Sequence, residues 1–128
     1  MTLSAYGTEF GVALEPLMAV PGALGAVLSD DRGYAIDFVR DHDRISEIDL
    51  QIAGAQLGQA LQRLATSVDK LGWRAPFVML ETPQRALLAG PLWEGFALAY
   101  LLQTPANVAL ALKRFGVGRD RIADLLTG

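Results

Sequence analysis

The chain has 128 residues, a formal net charge of −3 and no cysteine. That length supports one domain with a real core, and zero Cys removes disulfides and thiolate metal sites from consideration. The acidic balance, with no basic stripe interleaved with aromatics, argues against nucleic acid as the main partner.

The hydrophobic fraction is 52%, with a mean hydropathy of +0.29. A monomer this small has difficulty hiding so much apolar side chain, so composition favours assembly. No run approaches 18 uninterrupted apolar residues, so no membrane insertion is expected. The amino terminus lacks a positive segment followed by an apolar run, so no signal peptide is expected, and the expected location is the cytoplasm.

In chain order, residues 1–7 read as a loose tail before a single domain spanning 8–128. Phe10, Leu14, Leu17 and Met18 give residues 8–18 one apolar helical side, which Pro16 is expected to bend or end. Pro21-Gly22 is a turn. An apolar strand over 23–29 then meets Asp30-Asp31-Arg32-Gly33, a strong turn signal. The partner strand over 34–40 alternates, with Tyr34, Ile36 and Phe38 on one face and Asp37 on the other.

Residues 46–71 are expected to form the long helix around which the rest is arranged. Ser46 and Asp49 fit a capping box, Ile45 and Leu50 a hydrophobic staple. At the other end Lys70 stands in the last turn, Gly72 suits a left-handed stop, and Trp73 is placed to fold back. Leu50, Ala53, Leu57, Leu61, Leu64, Val68 and Leu71 form one apolar stripe. Ile48, Ile52 and Ala55 fall on the opposite side, which Gln59, Gln62, Arg63, Thr66 and Lys70 continue. A single sheet cannot cover both sides, so the back face reads as a surface buried by a partner. The competing reading is that another segment of the same chain covers Ile48 and Ile52. Gly54 and Gly58 thin the helix for close backbone approach.

After Gly72 the period changes to two, giving strands over 76–81, 85–92 and 96–103. Thr82-Pro83 and Trp93-Glu94-Gly95 supply the turns, and Pro76 suits an edge strand. Thr104-Pro105 reads as an N-cap and N1 pair opening a helix through Phe115. Gly116-Val117-Gly118 should interrupt that helix before it resumes over 119–126. Strand runs with separate helices give an α+β domain with one antiparallel sheet.

The order of elements and the run Val20-Pro21-Gly22-Ala23-Leu24-Gly25-Ala26-Val27-Leu28-Ser29-Asp30-Asp31-Arg32-Gly33-Tyr34 resemble the Roadblock family of dynein light chains and bacterial GTPase regulators. The later strand pair, with Gly90 and the Trp93-Glu94-Gly95 turn, is similar to the family's second hairpin. The resemblance covers roughly residues 8–126. It implies helix-strand-strand-helix-strand-strand-strand-helix order, with the long helix on one face of a five-stranded sheet and the terminal helices on the other. It further implies a homodimer whose long helices lie side by side while strands meet across the two-fold axis, and a small Ras-like GTPase as partner. The broken last helix departs from the uninterrupted one the family leads us to expect.

Catalytic chemistry finds little support. His42 between Asp41 and Asp43 is too thin a set for a metal site, and Asp30-Asp31 before Gly33 is an ordinary turn. Neither Ser29 nor Ser46 has a nucleophile elbow around it, and no phosphate loop precedes Lys70 or Lys113. Gly116-Val117-Gly118 is a helix break rather than a nucleotide cradle. Arg63 is the best-placed candidate for an inserted arginine finger, against the plainer reading of a solvated or rim residue. No cofactor or metal is expected.

The expected function is a non-catalytic homodimeric regulator or scaffold. Ile48, Ile52, Ala55 and the strand residues Phe77, Val78, Met79 and Leu80 would meet the second copy. Gln51, Gln59, Gln62, Arg63 and Thr66 would meet a GTPase. One alternative is a ligand-sensing module with a small apolar molecule between sheet and helix, in a gap left by Ala86, Ala89, Gly90, Ala97 and Ala99. Another is a purely architectural adaptor.

Overall fold

The computed structural model describes residues 4–72 and 77–128, so the expectations for Trp73 and Pro76 lie outside the described residues. The chain forms α1 (Glu9–Leu14), β1 (Ala23–Ser29), β2 (Ala35–Arg40), α2 (Glu47–Lys70), β3 (Val78–Glu81), β4 (Arg85–Pro91), β5 (Ala97–Gln103) and α3 (Val108–Thr127). The strands make one antiparallel sheet in the order β2-β1-β5-β4-β3. It is the expected α+β architecture, with α2 on one face and the terminal helices on the other.

Two apolar layers result. On one face Leu14, Leu17, Phe115 and Ile122 pack with Leu88, Leu98, Tyr100 and Leu102. On the other, Leu50 packs with Val27, Phe38 and Ala99, while Leu61 packs with Ala89 and Ala97. The second layer places α2 diagonally, its first turns over β1 and β2 and its later turns over β5 and β4. The strand β3 is left at one edge of the sheet, beside the turns of α2 that carry Leu57, Leu61 and Leu64.

Local chemistry explains the main boundaries. Ser46 Oγ accepts from the Asp49 amide at 3.1 Å, which caps α2 as its sequence predicted. Asp30 organises the first hairpin turn by accepting from the amides of Arg32 and Tyr34, while Gly33 takes φ +88°. Thr8 caps α1, and Pro16 converts the expected continuation of that helix into a separate 3₁₀ turn, Glu15–Ala19.

Three expectations need correction. Α3 begins at Val108, capped by Asn107, whose side chain accepts from the Leu110 amide. Thr104 Oγ1 instead donates to the carbonyl of Pro83, tying the end of β5 to the β3–β4 turn. Α3 also runs unbroken through Gly116-Val117-Gly118. Gly118 is buried against Leu17, close packing that offsets its propensity cost of roughly 1 kcal/mol. Finally, the alternation of Tyr34, Ile36 and Phe38 is broken by a bulge at Ile36, where Ser29 pairs with Ala35 and Leu28 with Asp37. Ile36 therefore packs with the terminal-helix layer and Phe38 under α2.

Candidate functional site: the uncovered side of the long helix

The predicted stripe of α2 is covered only as far as Leu61. Leu50 and Leu61 are covered by the sheet, but beyond them the helix overhangs its edge. Leu64 is 40% exposed and Leu71 is more so. Together with Leu57, Ala60 and Leu61, Leu64 lines an apolar cleft of about 100 Å³ whose opposite wall is Val78, Leu80 and Ala89.

Edge-strand alternation splits the four residues expected at a copy–copy contact. Val78 packs beside Leu61, and Leu80, 54% exposed, lines the same cleft on the α2 side. Phe77, which just precedes β3, lies edge-on to Phe115 of α3, with ring centroids 6.2 Å apart. Met79 is exposed.

Ile48 and Ile52 are 68% and 50% exposed. On helical geometry both lie opposite Leu50 and Leu61, on the pole of α2 that points away from the sheet. The structure does not bring them to β3. Ala55 is half-buried, and a Cβ built on Gly33 would come within 3.3 Å of its methyl group. Gln59, Arg63 and Thr66 are exposed and continue the outward row.

The two other predicted polar contacts are partly used inside the chain. Gln51 Nε2 lies 3.4 Å from the Tyr6 hydroxyl. Gln62 Nε2 lies 3.4 Å from the carbonyls of both Asp31 and Gly95, so it links α2 to the β1–β2 and β4–β5 turns. Sequence reasoning missed the role of Leu64 and Ala60, which it had placed in the core stripe or passed over. The signal was available: the stripe is longer than a strand layer is wide.

Between α2 and the sheet the small residues leave only minor openings: Ala89 lines the cleft of about 100 Å³ beside Leu64, and Ala97 lines another of about 180 Å³ beside Gly58, Leu61 and Ala65. Ala86, Ala89, Ala97 and Ala99 are themselves buried in the apolar clusters on the two faces of the sheet. At Gly90 the Arg119 side chain occupies the space, where a Cβ would sit 2.9 Å from its Nε.

His42 is exposed. The described His, Asp and Glu residues form no group of three or more suited to a metal ion. None of the described helices is long and apolar enough to cross a membrane.

No family model matches the sequence, and no curated protein matches it. Solved structures do. Myxococcus xanthus MglB superposes with a TM-score of 0.81 at 14% identity, covering 94% of this chain and 96% of that one. The Roadblock/LC7 domain from Streptomyces avermitilis gives 0.74 at 19% identity, over 91% of this chain and 97% of that one. A structure described as MglB with tetrameric arrangement gives 0.78 at 15% identity, over 90% and 85%. The chain therefore has the Roadblock fold.

Proposed function

We propose that this chain is a non-catalytic homodimeric regulator or scaffold that binds a small Ras-like GTPase through the long-helix side of the dimer. The observation that carries this reading is the uncovered apolar edge where Leu64 of α2 faces Leu80 of β3. An edge strand with unpaired backbone groups and exposed apolar side chains invites association, and a two-fold contact closes it against further growth.

In this reading β3 pairs with β3 of a second copy, and the adjoining flank of α2, with Ala60 and Leu64, packs against its counterpart. Ile48 and Ile52, expected from the sequence at the copy–copy contact, here join Gln59, Arg63 and Thr66 in an outward row that forms, in duplicate, an apolar patch with a polar continuation facing the GTPase. The Roadblock resemblance supports the class of partner, and the tetrameric arrangement described for an MglB of the same fold supports assembly.

Pull-down of the host's purified small GTPases, loaded with GTP and separately with GDP, tests the partner. Retention of one form, lost in Ile52→Glu while the dimer persists, is the expected result. Failure to retain either form overturns the GTPase assignment.

A further inference from the structure

A separate cleft, of about 210 Å³, opens between the 3₁₀ turn Glu15–Ala19 and α3, within the terminal-helix layer. Its apolar lining includes Leu17, Leu110 and Val117, and Lys113, Arg114 and Arg121 contribute its cations. Val117, an aliphatic side chain on a helix surface, is 54% exposed. Among the described residues the one ion pair is Arg44–Asp41, so no described carboxylate pairs with these three cations. Asp120 and Asp124, the acidic residues of α3, do not line the cleft. A concentrated cationic border on a chain of net charge −3 calls for an anionic occupant.

The spacing of the cations selects the kind of anion. Lys113 to Arg121 spans eight residues, about 12 Å along the helix axis. One carboxylate or phosphate cannot bridge that distance, whereas acidic side chains on successive turns of a second helix can. A flat anionic membrane fits less well, because Asp120 and Asp124 share the outer surface of α3 and the apolar lining includes the buried Leu17.

We propose that this cleft docks an acidic amphipathic helix of a partner protein. An apolar side chain of that helix enters beside Leu17 and Val117, and its carboxylates meet Lys113, Arg114 and Arg121. Such a site lies on the sheet face opposite α2 and does not depend on the dimer or on the GTPase.

The test uses the full chain and a fluorescein-labelled peptide of about 15 residues, long enough to support a helix. The peptide is built from Ala, Leu and Glu, with leucines along one stripe and glutamates flanking it. Fluorescence anisotropy should show saturable binding that weakens about tenfold or more in Arg114→Glu/Arg121→Glu. A matching peptide with Lys in place of Glu should ignore the wild-type chain and bind the doubly reversed variant, a gain that a misfolded variant cannot produce. Equal binding of the acidic peptide to both chains overturns the proposal, as does no binding to either. Co-sedimentation with phosphatidylserine vesicles that depends on Arg114 and Arg121, without peptide binding, overturns it in favour of a lipid surface.

Discussion

Gly54 of α2 lies directly over Val27 of β1: a Cβ built on the glycine would fall 2.5 Å from Val27 Cγ1. Val27 is fully buried, so its methyl group has no free space to move into. The long helix sits as close to the sheet as it does because this position has no side chain.

Gly58, one turn on, differs. A Cβ there would meet only the Ala97 methyl, at an ordinary 3.7 Å. Gly54→Ala should therefore overpack the layer and destabilise by about 1–3 kcal/mol despite its better helix propensity. Gly58→Ala should stabilise by up to about 1 kcal/mol. Urea denaturation of the two variants under one buffer separates these outcomes, and equal shifts would contradict the packing described here.

Arg119 shows a polar group that fills space at a cost. Its Nη2 donates to the Pro91 carbonyl at 2.8 Å, and its guanidinium lies 5.8 Å from the centre of the Phe115 ring. Its Nε is buried without a partner. Burial lowers its pKa, a shift the nearby Asp120 opposes. Arg119→Met keeps the packing over Gly90 and removes the unpaired donor, so it should change stability by less than about 1 kcal/mol. Arg119→Ala empties the space and should cost more. Thermal melts of the pair decide this, and an equal, large loss in both variants would show that the bond to Pro91, which both lack, outweighs the packing.

Much of this architecture was legible in local chemistry. The Ser46 cap, the Asp30–Gly33 turn and the switch from helical to strand period each name an element without tertiary information. What escaped was decided by contacts between distant residues. Thr104-Pro105 and Asn107 are both acceptable helix openings, and Thr104 loses because its hydroxyl is drawn to Pro83. Glycines at 116 and 118 look like a break until Leu17 is known to pack on one of them. The candidate site was legible as a second apolar side on the long helix. The division between the outward pole at Ile52 and the β3 flank at Leu64 depends on where the sheet ends, which periodicity does not record.

Asp37 is a case with almost no sequence signal. Its carboxylate is fully buried in β2 and accepts from the amides of Tyr6, Thr8 and Phe38 and from the Thr8 hydroxyl. Burial pushes its pKa up, but these four bonds together outweigh burial and hold the carboxyl below the usual range. A depressed folded-state pKa contributes stability that is fully present above the unfolded value, near 4, and is lost as pH falls through the folded one. The segment around Tyr6 and Thr8 should therefore loosen below about pH 4. Asp37→Asn, which turns an acceptor towards several donors, should cost about 1–3 kcal/mol at pH 7. The gap to wild type should narrow with acidification. Chemical denaturation at a series of pH values gives the comparison, and a constant gap would mean that Asp37 does not titrate in this range.

The Leu64–Leu80 edge makes the sharpest prediction about assembly. Leu80 is already more than half exposed in the single chain and Leu64 is 40% exposed, so replacing Leu80 with a charged residue removes little intramolecular packing. Leu80→Lys should leave the folded subunit within roughly 0.5 kcal/mol of wild type, as surface substitutions generally do. If the edge is a two-fold contact, however, two lysines are brought close to one another in place of two leucines, adding like-charge repulsion to lost apolar burial. Sedimentation equilibrium should then show the subunit mass doubled for wild type at micromolar concentration and single for Leu80→Lys, with unchanged circular dichroism. Ile52→Lys, on the outward pole, should retain the doubled mass. A single subunit for wild type at high concentration would remove the dimer. Loss of the dimer in Ile52→Lys but not in Leu80→Lys would move the contact from the strand edge to the pole of the helix.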